Sequence, residues 1–95
     1  MPTVYLIHFD KPYKHARHYL GYTALESANA RLQRHKSGDG AKLLRVCNEN
    51  NIDYDIVRMW DCNNIHDAKV LEHKLKKQHN SAKLCPICRK ERKDE

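Results

Sequence analysis

Tyr19-Leu20-Gly21-Tyr22-Thr23-Ala24-Leu25-Glu26-Ser27-Ala28-Asn29-Ala30-Arg31-Leu32-Gln33-Arg34-His35 changes its periodicity halfway along, and that change decides the fold. Tyr19, Leu20 and Tyr22 are strand formers that suit a pleated, half-buried surface. The chain is expected to turn at Gly21 and open a helix at Thr23, with Thr23 as N-cap and Glu26 completing a capping box. Leu25, Ala28 and Leu32 then share one apolar stripe. Arg31 and His35, one turn apart, fall at the edge of that stripe, where packing would hold a pair of cations against a phosphate. Arg34 points the other way, as a solvated charge.

Upstream, Val4 to Phe9 alternates Tyr5, Ile7 and Phe9 on one face with Val4, Leu6 and His8 on the other. Both faces are mostly apolar, which predicts a strand covered on both sides. Pro12 is expected to end that strand, leaving Asp10 to His15 as a loop and Arg17 to Tyr22 as the antiparallel return. The loop carries Lys11, Lys14 and His15, either as a basic tip against a phosphate backbone or as a solvated turn.

Downstream, Gly38 suits the end of the first helix, and Asp39 or Gly40 the start of a second over Ala41 to Glu49. Leu43, Leu44, Val46 and Cys47 would face inward, so Cys47 reads as core. Ser37 to Gly40 lacks phosphate-loop spacing, although Lys42 follows it. Tyr54 to Trp60 reads as a third strand. Asn63 or Asn64 caps a last helix from Ile65 to about Gln78, with Ala68, Leu71 and Leu75 as its stripe and Ile65 widening it. Glu72 falls inside the widened arc. It is either an edge carboxylate in an ion pair or a carboxylate turned into a cleft to hold a cation.

Ninety-five residues make one domain, and 40% hydrophobic residues suffice for a small core. A formal charge of +6 and a pI of about 9.3 favour a polyanionic partner, nucleic acid before membrane. No apolar run is long enough to span a bilayer. Met1-Pro2-Thr3 lacks the basic start of a signal peptide, which predicts a cytoplasmic, intracellular protein with four cysteines in a reducing compartment. Residues 1–80 form the domain and 81–95 a basic tail, whose charge run from Arg89 to Glu95 is a solvated end. Cys85-Pro86-Ile87-Cys88 is half of a zinc site or a pair of thiols. Cys62, His66, His73 and His79 are the candidates to complete it.

The predicted order is strand, strand, helix, helix, strand, helix. The fold is α/β, a small three-stranded antiparallel sheet flanked by helices. Thr3-Val4-Tyr5 and Tyr19-Leu20-Gly21 on paired strands resemble the two short motifs of the GIY-YIG nuclease family. The likeness covers roughly residues 3 to 80 and continues through Arg31, His35 and Glu72. The stretch from His35 to Leu44 is similar to the branch of structure-specific nucleases. Thr3 stands where the family has glycine, and Asn80 is the nearest match to a late asparagine.

This resemblance implies a magnesium- or manganese-dependent endonuclease acting on DNA. Glu72 would hold the cation, and Arg31 the scissile phosphate. Tyr5 would help activate water, with Tyr19 nearby and His35 polarising the pair. Lys11, Lys14, His15, Arg34, Lys36 and Lys42 would contact flanking phosphates. In the alternative reading, the same fold and basic surface bind nucleic acid without cutting it, and Tyr5 and Tyr19 are packing aromatics.

Overall fold

In the computed structural model, which describes residues 2–14, 16–24, 26–38, 40–77 and 84–87, three strands form one antiparallel sheet in the order β2-β1-β3. The elements are β1 (Thr3–Tyr13), β2 (Ala16–Thr23), α1 (Ala28–Lys36), α2 (Lys42–Glu49), β3 (Tyr54–Asp61) and α3 (Ile65–Lys77). The chain is therefore a small α/β unit in the predicted order. No helix among the described residues is long and apolar enough to cross a membrane.

The two-sided reading of the central strand holds. Tyr5, Ile7 and Phe9 enter a core with Ala28 and Leu32 of α1, Leu44 and Cys47 of α2, and Tyr54 of β3. Val4 and Leu6 enter a second core with Leu20, Cys62, Ala68, Leu75 and Cys85. Such a strand must be apolar on both faces, which is why its sequence runs nearly without a break.

Pro12 does not end β1. Beyond the Phe9–Tyr54 pair and the bond from the Asp10 amide to the Asp53 carbonyl, β3 no longer accompanies β1. That side becomes an open edge, where proline's missing N–H costs little. The register with β2 also shifts between His8 and Tyr13, as in a bulge. Lys14 turns the hairpin with a positive φ of 54°, and His15 lies outside the described residues.

The first helix starts later than its sequence indicates. Gly21 is no turn; it sits in the ladder opposite Tyr5, and Thr23 closes the ladder opposite Thr3. Thr23 Oγ1 donates to the Glu26 carbonyl instead of capping. Ser27 has the same chemistry four residues on, and its Oγ accepts from the Ala30 amide. Glu26 is drawn from the capping box by two arginines. Leu25 lies outside the described residues.

Gly38 takes a left-handed φ of 90° just after the Ser37 C-cap. The second helix begins past Ala41, which offers no side-chain cap, rather than at Asp39 or Gly40; Asp39 lies outside the described residues. Leu44 and Cys47 are buried, whereas Leu43 and Val46 are half-buried. Asn64 caps α3 by accepting from the Asp67 amide. Ala68 and Leu75 are buried, but Ile65 is 45% exposed and does not widen the stripe. It stands in the first turn, past the end of the sheet-facing surface.

Candidate functional site

β1 and β2 bring Tyr5 and Tyr19 onto the α1 face of the sheet, with ring centroids 6.4 Å apart. α1 places His35 against both, at 6.2 Å from Tyr5 and 5.8 Å from Tyr19. Tyr5 Oη and His35 Nε2 are 3.0 Å apart. The Ala41 amide donates to His35 Nδ1 at 3.3 Å. A nitrogen that accepts from an amide carries no proton, so this pattern assigns the His35 proton to Nε2, which donates to Tyr5. His35 is 1% exposed. It is therefore no outward-facing partner for Arg31; the edge-of-stripe cation pair is corrected to one arginine beside a buried imidazole. Burial, coupled with the amide of the next helix, decides this.

Two glycines make room for the cluster. A Cβ on Gly21 would lie 2.8 Å from both Tyr5 Oη and Tyr19 Cε2. A Cβ on Gly40 would overlap the His35 ring. The bare backbone of Gly21 lets the Tyr5 and Tyr19 side chains approach each other.

Arg31 stands beside this cluster, and its positive charge opposes the rise in the Tyr5 pKa. Its Nη1 lies 3.6 Å from Glu26 Oε1, and Arg34 Nη1 meets the same oxygen at 2.9 Å. Arg34 thus turns towards the cleft rather than away from it, because Glu26 gathers both guanidinium groups. Arg31 Nε is buried and has no hydrogen-bond partner. Buried donors are normally satisfied, so a lone one marks a place for an acceptor.

Glu72 reaches this place from α3 over the edge strand β2. Tyr19, Tyr22, Thr23, Glu26, Arg31, Arg34 and Glu72 line one cleft of about 650 Å³. The Glu72 side chain is 18% exposed, and its Oε1 pairs with Lys76 Nζ at 3.2 Å. Glu72 therefore makes the ion pair of the first sequence reading while lining the cleft of the second.

Burial pushes the Tyr5 hydroxyl up to about 12, with Tyr19 and Glu72 adding to the rise and Arg31 opposing it. Burial also raises Tyr19, Glu72 adding to the rise and Lys76 and Arg31 opposing it. Both phenols are protonated at neutral pH in the protein as it stands.

The expected phosphate contacts do not gather here, Arg34 apart. Lys11 is exposed on β1. Lys14 lies 5.5 Å from the Tyr13 ring, and Lys36 5.9 Å from the Tyr54 ring. Lys42 is exposed at the start of α2.

The zinc candidates are rearranged too. Cys62 is buried in the second core, and His66 and His73 are exposed on α3. Cys88 and His79 lie outside the described residues. Cys85 is wholly buried and meets His8 and His18, which sequence reasoning left out. Burial lowers the pKa of His18, helped by His8 and Arg17. Glu26, Lys76 and Gly40 were missed as well. The only signal for the histidines was His8 interrupting the apolar series Val4, Leu6.

No protein-family model, curated protein or solved structure matches this chain.

Proposed function

We propose that this chain is a GIY-YIG-type endonuclease that hydrolyses DNA phosphodiester bonds with magnesium or manganese. The observation that carries the reading is the buried, unpartnered Nε of Arg31, a residue that neighbours the buried Tyr5–His35 pair and lines one cleft with Tyr19 and Glu72. A non-bridging phosphate oxygen is the acceptor that this donor lacks.

Glu72 fits a divalent cation of this kind. It offers a single half-buried carboxylate on an open cleft, and magnesium takes few carboxylates and keeps several waters. Lys76 is half exposed on a flexible stem and can yield the carboxylate. When bound there, the cation supplies positive charge to the phosphate and to the developing transition state.

The chain's own groups do the rest. Arg31 holds the phosphate, and Glu26, 3.6 Å from its Nη1, positions the guanidinium. Tyr5 Oη accepts from His35 Nε2 and lies beside the positively charged Arg31, which leaves its own proton for the reacting water. Once that proton leaves, the same two groups stabilise the phenolate. At a hydroxyl raised to about 12, this happens only when further positive charge enters the cleft. The charge of +6 draws DNA to the surface.

The deep burial of Tyr5 favours the second reading, a nucleic-acid-binding module in which the phenol and imidazole are only a polar core. Cleavage of linear, nicked, flapped and branched DNA, with and without magnesium, separates the two. Glu72→Ala is expected to fold and bind DNA but not cut it. Undiminished magnesium-dependent cleavage by that variant would overturn the metal assignment. Absence of cleavage by the unaltered protein on every substrate would leave the binding module.

A further inference from the structure

The opposite face of the β1–β2 pair carries a second cluster that the nuclease reading does not use. His8 and His18 are directly paired across the strands. Cys85 descends on them from a segment 77 residues further along the chain than His8. His8 Nδ1 lies 3.3 Å from His18 Nε2 and 3.4 Å from Cys85 Sγ, and all three donor atoms are within 4.8 Å of one another.

We propose that His8, His18 and Cys85 bind a structural zinc ion that fastens the C-terminal segment to the β1–β2 hairpin. Three observations carry this. The first is geometric: zinc–nitrogen bonds of about 2.0–2.1 Å and zinc–sulfur bonds of about 2.3 Å at tetrahedral angles separate ligand atoms by roughly 3.3–3.6 Å. Both short separations, 3.3 and 3.4 Å, fall in that range.

The second is chemical. Two imidazoles and a thiolate are borderline-soft donors, which suit zinc and not magnesium or calcium. His8 Nδ1 lies close to both other donor atoms, and a single ring proton can serve only one of them. A cation between the three engages every lone pair at once.

The third is positional. Cys85 is wholly buried and His8 and His18 are half-buried, on the face that also packs Val4, Leu6 and Leu20. Cys85 lies in the described segment 84–87. Its described anchors are Leu84 and Cys85 in the second core and the bond from Arg58 to the Leu84 carbonyl at 3.3 Å. A metal bond at Cys85 would fix it. The proposal stands whether or not the Tyr5 face cuts DNA.

The test uses the full chain, purified under reducing conditions, stripped with a chelator and reconstituted with zinc alone. Metal analysis is expected to give about one zinc per chain, and stripping to lower the melting temperature. Cobalt in place of zinc is expected to show tetrahedral ligand-field bands with a thiolate charge-transfer band. Cys85→Ser should abolish that band, but a buried serine can unfold the protein. His8→Gln and His18→Gln therefore carry the test, each expected to weaken zinc affinity roughly tenfold or more while circular dichroism stays native. His66→Gln and His73→Gln are expected to leave affinity unchanged. Folded, reconstituted protein without zinc, full affinity in the His8→Gln, His18→Gln double variant, or loss through His66 or His73 would each overturn the proposal.

Discussion

The two faces of the β1–β2 pair hold different kinds of polar cluster, built on neighbouring residues of the same strands. On the α1 face, the Ala41 N–H donates to His35 and His35 to Tyr5, with Tyr19 against the imidazole and the charge of Arg31 beside the phenol. On the other face, His8, His18 and Cys85 bring together three lone-pair donors. Both clusters are linked by hydrogen bonds, but the first leaves the buried donor of Arg31 open to an acceptor and changes state when charge enters, which suits catalysis. A cluster of lone pairs calls for a cation at rest, which suits a fastening. The faces should therefore respond oppositely to substitution and to metal.

The largest expected effect is at Arg31. Arg31→Ala removes the donor aimed at developing charge, so single-turnover cleavage should fall by roughly 10²–10³-fold or more, the range for loss of one such donor. DNA affinity should change little, because this contact strengthens mainly in the transition state. Zinc content should stay at the level of the unaltered protein, since Arg31 lies on the other face. A variant that binds DNA weakly yet cleaves normally at saturation would reduce Arg31 to one more basic contact.

The next effect separates two glycines. Gly40→Ala drives a methyl group into the His35 ring, so the imidazole must leave either Tyr5 or the Ala41 amide. It should destabilise the fold by about 1–3 kcal/mol, the usual cost of overpacking, and lower the cleavage rate as well. Gly38→Ala meets nothing within 4 Å, but its φ of 90° strains any side chain. That variant should lose about 1–2 kcal/mol through its backbone alone, with the cleavage rate of folded protein unchanged. Melting curves and single-turnover rates for the pair check this. Equal loss of rate in both would show that His35 is held by more than the room at Gly40.

What could be read from sequence follows the same division. The tyrosine face is closed by α1 and α2, which follow β2 directly, so Tyr5, Tyr19, Arg31 and His35 fall in order along a short stretch. The strands, their order and the two-sided burial of β1 follow from period and apolar run. The start of α1 was misread because Thr23 and Ser27 are equivalent caps locally, and only the pairing of Thr3 with Thr23 chooses between them. The histidine face is closed by residue 85, and the register between Tyr13 and Ala16 differs from that at His8 and His18. Counting back from the hairpin tip therefore does not pair the two histidines. Non-local contacts and a bulge leave no periodic trace.

The smallest effect concerns pH, and it tests whether the tyrosine face is complete without a cation. Tyr5 is raised by burial from about 10 to about 12, so the folded protein prefers the neutral phenol more than the unfolded chain does. Its contribution to stability is whole below about pH 10 and is lost as the pH climbs towards 12. Tyr19 and Tyr54 are raised in the same direction, so the alkaline loss has several sources. Tyr5→Phe should remove one share, flattening the stability curve between about pH 10 and 12 while leaving its shape below 9 unchanged. Denaturant midpoints across pH 8 to 12, read beside the tyrosinate absorbance of both proteins, measure that share. Magnesium, added below about pH 10 where it stays dissolved, should lower the pH at which tyrosinate first appears. The shift should be larger in the unaltered protein than in Tyr5→Phe, where Tyr19 alone of the pair feels the charge at Glu72. If magnesium leaves the titration of both proteins alike, the cation does not reach the Tyr5 cluster, and the two faces differ less than their chemistry implies.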